Sequence, residues 1–166
     1  DSAPISAPVV QLLRLLRQLE KEYSMILNGK EEICHYIPQR EPIVMVDKLY
    51  SFEPDRSETG LTVDGGSIFV ENGKLMDGAL IEHTAQSGAL HIGYDYVSRG
   101  QKVPIGLIGS INKYQISRLP KVGESLRTTI IMEARVGDVS LIGITVRVGD
   151  EVIAQGKMKV ATPEEA

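Results

Sequence analysis

Glu82 is the residue whose surroundings point most directly to chemistry. Leu80, Ile81, Ala85, Ala89, Leu90 and Ile92 flank it at helical spacing and occupy most of the circumference, so the helix should be enclosed by other structure. A carboxyl group carried into such an interior can act as an acid or a base. The plainer alternative is a carboxylate satisfied by backbone amides or by a cation such as Arg40, with structural consequences only. Gln86 follows four residues later on the same helix face, where it either holds Glu82 in place or fills a polar pocket. His83 diverges from Glu82 by about 100° around the helix axis, so the two cannot easily share a pocket within one chain. A contact across a subunit interface is its remaining route to a site, against a buried hydrogen-bonded role. His91 lies on nearly the opposite side and reads as structural, and His35 reads as a surface residue.

The elements that must position these groups follow from pattern. Asp77 can begin a long helix that runs to about Val97 and closes at Arg99-Gly100. A short helix is predicted over 31–36, ended by Pro38, followed by strands over 43–52 and 58–64 with turn chemistry at Glu53-Pro54-Asp55-Arg56 between them. Residues 67–74 read as irregular. After Gly100 the pattern alternates to the end, with breaks at 120–123, 137–138 and 149–150, so four antiparallel strands are expected. The fold class is α+β, a curved antiparallel sheet wrapped around one long central helix: the hotdog arrangement. Ahead of it, Val9, Leu12, Leu13, Leu15, Leu16 and Leu19 mark an amphipathic helix. Residues 1–24 are expected to be an N-terminal helical extension, with Met25 as a natural start and 25–166 as the hotdog domain; the alternative is a helix packed on the sheet.

Composition excludes several classes of function. With 166 residues, 42% hydrophobic and 24% charged, the chain suits one soluble domain, and it holds no apolar run long enough to span a membrane. A net charge of -4 offers no field to gather nucleic acid. One cysteine forbids an intrachain disulfide, and three scattered histidines give no metal-site spacing, so neither metal nor other cofactor is expected. A cytoplasmic setting is the natural expectation.

Three segments, in order, resemble the 3-hydroxyacyl-[acyl carrier protein] dehydratase family, and within it the divergent branch of aryl-polyene-type dehydratases. They are Ile37-Pro38-Gln39-Arg40-Glu41-Pro42 running on to Asp47, Gly78-Ala79-Leu80-Ile81-Glu82-His83-Thr84-Ala85-Gln86, and Leu107-Ile108-Gly109-Ser110-Ile111-Asn112-Lys113 with Arg118 to Glu124. The resemblance covers about 33–160. It implies an acyl thioester on acyl carrier protein, through a phosphopantetheine arm, or on coenzyme A, and a lyase reaction in fatty-acid or polyketide-type biosynthesis. It also departs from the family pattern, because 67–77 contains no histidine and the entry segment carries Gln39 where a histidine is usual.

On that resemblance Glu82 and Gln39 are the residues expected at the reacting atoms, though glutamine cannot titrate and Gln39 is equally a turn residue. Gly78 and Ala79 offer helix N-terminal amides for the thioester oxygen. Gln86, Gly109 and, across an interface, His83 complete the expected binding set. The alternatives are a non-catalytic acyl-binding subunit paired with an active dehydratase, and an acyl thioesterase. A homo- or hetero-dimer or higher oligomer is expected in each case, because a lone curved sheet leaves an edge and an apolar groove exposed.

Overall fold

Strict alternation after Gly100 becomes four long strands in a computed structural model that describes residues 6–163; the first five residues of the predicted extension lie outside it. These strands are β6 (Leu107–Ile116), β7 (Ser125–Val136), β8 (Val139–Val148) and β9 (Glu151–Ala161). In β8 the alternate residues Ser140, Ile142, Ile144 and Val146 are buried and their neighbours are less so, which fixes its register against β7 and β9. Ahead of them come β1 (Leu27–Asn28), β2 (Lys48–Glu53), β3 (Arg56–Thr62) and the two-residue strands β4 (Val70–Glu71) and β5 (Lys74–Leu75). Seven strands form one antiparallel sheet in the order β1-β2-β3-β7-β8-β9-β6, while β4 and β5 pair separately.

The helices are α1 (Ala7–Tyr23), α2 (Lys30–Ile33) and α3 (Asp77–Ser98). Most of α3 is enclosed, as the sequence predicts, with Asp77, Gly78, Val97 and Ser98 exposed at its ends. On one side Leu80 and Ile92 join Leu126, Ile130, Ile142 and Met158 of the sheet in the main core. On another, Leu90 packs with Ile33, Ile37, Val44, Val46 and Leu49, contributed by α2, β2 and the segment between them. A close backbone approach makes this second layer possible: a Cβ at Gly93 would collide with the carbonyl oxygen of Tyr36.

The helix predicted over 31–36 spans Lys30–Ile33 and the strand predicted over 58–64 spans Arg56–Thr62; two further differences have identifiable reasons. The strand expected from residue 43 begins at Lys48, because the Met45 N–H is taken by the Gln86 side chain at 2.6 Å and is withdrawn from any ladder. The stretch 67–74, read as irregular, contains the β4–β5 hairpin, whose Asn72 and Gly73 both have positive φ (52° and 75°). That is the turn Asn-Gly favours. The α1 stripe stands in solvent, with Leu12 at 58% and Leu15 at 55% exposure. Among the described residues no helix is long and apolar enough to cross a membrane.

Candidate active site

Gly93 lets the Tyr36 backbone close against α3, and the Pro38-Gln39-Arg40 segment that follows is turned by Arg40. Arg40 Nη1 donates to the carbonyls of Ile37 (2.7 Å) and Gln39 (2.8 Å), which turns the segment back on itself. Arg40 is thereby committed to the backbone and is not the cation facing Glu82. Gln86 fastens the next stretch: its Oε1 accepts from Met45 N–H, and its Nε2 donates to Ile43 O at 2.7 Å and to Glu82 Oε1 at 2.8 Å. One buried amide therefore ties the entry segment to the helix and holds the carboxylate. Of the two readings open for Gln86, the geometry selects the first.

These constraints bring Glu82 and Gln39 to one cavity of about 150 Å³. Its floor is the small face of α3, Ala85 and Ala89, with Ile92 at the far end; Tyr36 and Pro38 form one wall, and Pro104, Gly106, Ile108 and Val160 another. Glu82 is half-buried, and with Oε1 engaged by Gln86 its Oε2 is the oxygen available to a ligand. Gln39 Oε1 is buried and has no hydrogen-bond partner among the described residues. An unsatisfied acceptor in an otherwise apolar cavity is costly unless a ligand donor completes it. The arrangement offers one carboxylate and one amide to a bound molecule in a mostly hydrocarbon setting.

The other expected site residues lie elsewhere. His83 is fully buried inside its own chain, its Nδ1–H donating to Met45 O at 2.6 Å and its Nε2 accepting from Thr128 Oγ1 at 2.7 Å. This corrects the expectation of a substrate contact across an interface: both nitrogens are used within the protomer. Burial pulls its pKa down to about 4, so it is a neutral imidazole that braces α3 against β7. Gly78 and Ala79 do not line the cavity; the Gly78 N–H is taken by the Asp77 carboxylate at 2.7 Å, and Ala79 is packed in the core. Gly109 also lies outside the lining, at a register shift in β6, and its neighbours Gly106 and Ile108 stand in its place.

His91 hydrogen-bonds Ser57 Oγ and Pro54 O, and burial depresses its pKa as well. His35 is exposed. None of the three histidines lines the Glu82 cavity. The residues missed from sequence are the 103–108 wall and Tyr36. For the wall a signal existed in the small-residue face of α3, which must be covered by something, but which segment covers it depends on the path of the chain after Gly100.

Comparison with known proteins follows the same lines. A family model described as ApeP-like, ApeP dehydratase, matches residues 31–166. Over 139 residues the chain is 31% identical to the 3-hydroxyacyl-[acyl-carrier-protein] dehydratase FabZ of Natranaerobius thermophilus, covering 80% of this chain and 96% of that protein. A chain of the dehydratase heterocomplex ApeI:P from Xenorhabdus doucetiae superposes with a TM-score of 0.74 at 16% identity, over 80% of this chain and 91% of that one. A hypothetical thioesterase with coenzyme A from Streptococcus pneumoniae superposes with a TM-score of 0.57 at 10% identity, over 69% and 84%. At such identities the structural likenesses show the fold alone, and that fold is the hotdog.

Proposed function

Because this chain belongs to the ApeP-like dehydratase family, we propose that it acts on 3-hydroxyacyl thioesters carried by acyl carrier protein, with Glu82 as the acid-base group. Convergence of the Glu82 carboxylate and of Gln39, whose Oε1 is unpartnered among the described residues, on one largely hydrocarbon-walled cavity carries this reading. Dehydration takes a proton from the carbon next to the thioester carbonyl and expels the hydroxyl on the following carbon as water, leaving a double bond between them. Glu82 Oε2 can take the first proton and return it to the departing hydroxyl when both lie on one face of the substrate. Gln39 can hydrogen-bond the hydroxyl or the thioester but moves no proton itself.

A second reading has its own observation. No histidine faces the cavity, and the wall that includes Ile108 belongs to β6, the outermost strand of the sheet. A second hotdog subunit on that edge would stand beside the cavity and can supply the second proton-transfer group, with this chain providing Glu82 and the acyl-binding walls.

The test is turnover of a 3-hydroxyacyl acyl carrier protein, followed by mass spectrometry as loss of water, with the wild type and Glu82→Gln, alone and mixed with a histidine-bearing dehydratase subunit. Enoyl product from the chain alone, reduced 100-fold or more by Glu82→Gln, is the expected result, that range being typical for loss of a general acid or base. Product only in the mixture, still dependent on Glu82, establishes the shared site. Product that is indifferent to Glu82→Gln, or none in either case, overturns the acid-base assignment.

A further inference from the structure

The face of α3 that carries Glu82 does not end at the cavity. Glu82, Ala85, Ala89, Ile92 and Tyr96 succeed one another at three- and four-residue spacing and form one stripe along the helix. Beyond Ile92 lies a second and larger cavity of about 270 Å³, lined by Ile92 and Tyr96 together with Pro54, Met132, Ala134 and Ser140. Among the described residues Ile92 alone lines both cavities. Its side chain is 8% exposed and belongs to the main core, so it stands between them as a fixed partition.

Size makes the partition matter. A dry apolar cavity of roughly 150 Å³ accommodates a single benzene molecule, about six carbons. The distance along the helix from Glu82 to Ile92 is about 15 Å, ten residues at the helical rise. An acyl group reacting beside Glu82 therefore fills the first cavity quickly, and a longer one must stop at Ile92 or pass it. Past it Pro54, Met132 and Ala134 supply apolar lining, alongside the polar Asp55, His91, Asp95, Arg135, Ser140 and Thr162.

We propose that the second cavity is the subsite for the distal, apolar end of long acyl chains, and that Ile92 sets the length at which a chain is admitted to it. The proposal rests on the reading that an acyl thioester binds beside Glu82. It makes Ile92 a specificity-determining residue that touches the substrate but takes no part in proton transfer.

The experiment compares saturated acyl-pantetheine binding by calorimetry, and turnover of the matching 3-hydroxyacyl carrier substrates, over a short-to-long chain series. The proteins are the wild type, Ile92→Ala, the milder Ile92→Val, and Ile92→Ala combined with Ala134→Phe to refill the second cavity from its exposed side. Ile92→Ala is expected to raise the long-to-short ratio of affinity and of kcat/KM by about tenfold or more, since one or two methylenes of pocket space discriminate on that scale. Ile92→Val should give a smaller shift in the same direction, and Ala134→Phe should cancel the gain. If Ile92→Ala does not fold, the Ile92→Val shift decides alone.

The two readings fail differently. Binding that shows the length shift with no turnover in any protein, alone or mixed with a histidine-bearing dehydratase subunit, sinks dehydration and keeps the subsite. Turnover or binding whose length profile is unmoved by Ile92→Val and Ile92→Ala, or a gain that survives Ala134→Phe, overturns the subsite. Absence of acyl-pantetheine binding at every length overturns it as well.

Discussion

At the scale of single residues, two buried polar side chains do opposite kinds of work. Gln86 spends its whole amide on Ile43, Met45 and Glu82, so a side chain inside the core decides where a carboxylate at the cavity stands. His83 spends both ring nitrogens on Met45 and Thr128 and contributes rigidity without facing a ligand. Its burial has a measurable consequence. Desolvation holds its pKa near 4 in the folded chain, against about 6.5 when unfolded, so between these values the unfolded state binds the proton and the folded state does not. Stability from this source is therefore complete above pH 6.5 and is lost as the pH falls toward 4. His91, depressed by burial as well, adds in the same direction. Urea unfolding at pH 7 and pH 5 should show the protein less stable at pH 5 by about 2 kcal/mol from His83. In His83→Gln, itself destabilised, that increment should vanish. An identical pH 7 to pH 5 difference in the variant would show that His83 is not held neutral.

At the scale of elements, α3 is held by two layers that impose different demands on its sequence. The sheet side asks for large apolar residues, whereas the α2 side asks at one position for no side chain at all. Gly93→Ala adds a methyl where the Tyr36 carbonyl already lies, so it should cost about 1 to 3 kcal/mol of stability as overpacking, against alanine's better helix propensity of about 1 kcal/mol. Gly78→Ala is the control, because a Cβ there meets nothing within 4 Å. It should leave denaturant midpoints unchanged or slightly higher. Equal effects of the two substitutions would mean that the Tyr36 approach does not constrain the helix.

The same contrast explains what was legible in advance. Apolar residues around most of the circumference of α3 announced an enclosed helix, and alternation in 139–148 announced β8, because both signals are periodic along the chain. Gly93's partner lies 57 positions back, and the strand start at Lys48 depends on a hydrogen bond from Met45 to Gln86, 41 positions away. Nothing local in 43–47 shows that bond. The family resemblance singled out Glu82 and Gln39, which line one cavity, whereas the pairing of Gln86 with Glu82 and the inward turn of His83 required the packed structure. The β4–β5 hairpin is a different case, since its turn has a local signal in Asn72-Gly73.

At the scale of the whole molecule, the sheet ends unequally. One edge is β1, two residues long, and short edges are a common protection against further pairing. The other is β6, ten residues long, paired only with β9 and presenting Leu107, Ile108 and Ile111 at 57%, 48% and 37% exposure. The exposed apolar residues at its start offer a surface for another chain, while the register shifts at Ile108/Ser110 and Asn112/Gln115 and the charge of Lys113 interrupt the rest of the edge. Ile108 also lines the Glu82 cavity, so whatever covers the edge also closes the site. Ile111 does not line the cavity, and Ile111→Lys therefore tests assembly without altering the lining: a lysine on an edge strand opposes pairing through its charge. Sedimentation of the wild type, alone or mixed with a related hotdog subunit, should give a dimer or larger species, and Ile111→Lys should shift it toward the monomer. Acyl-thioester turnover should fall in parallel even though Glu82, Gln39 and Gln86 are intact. A wild-type monomer that retains full turnover would place the complete site within one chain and remove the need for a partner on β6.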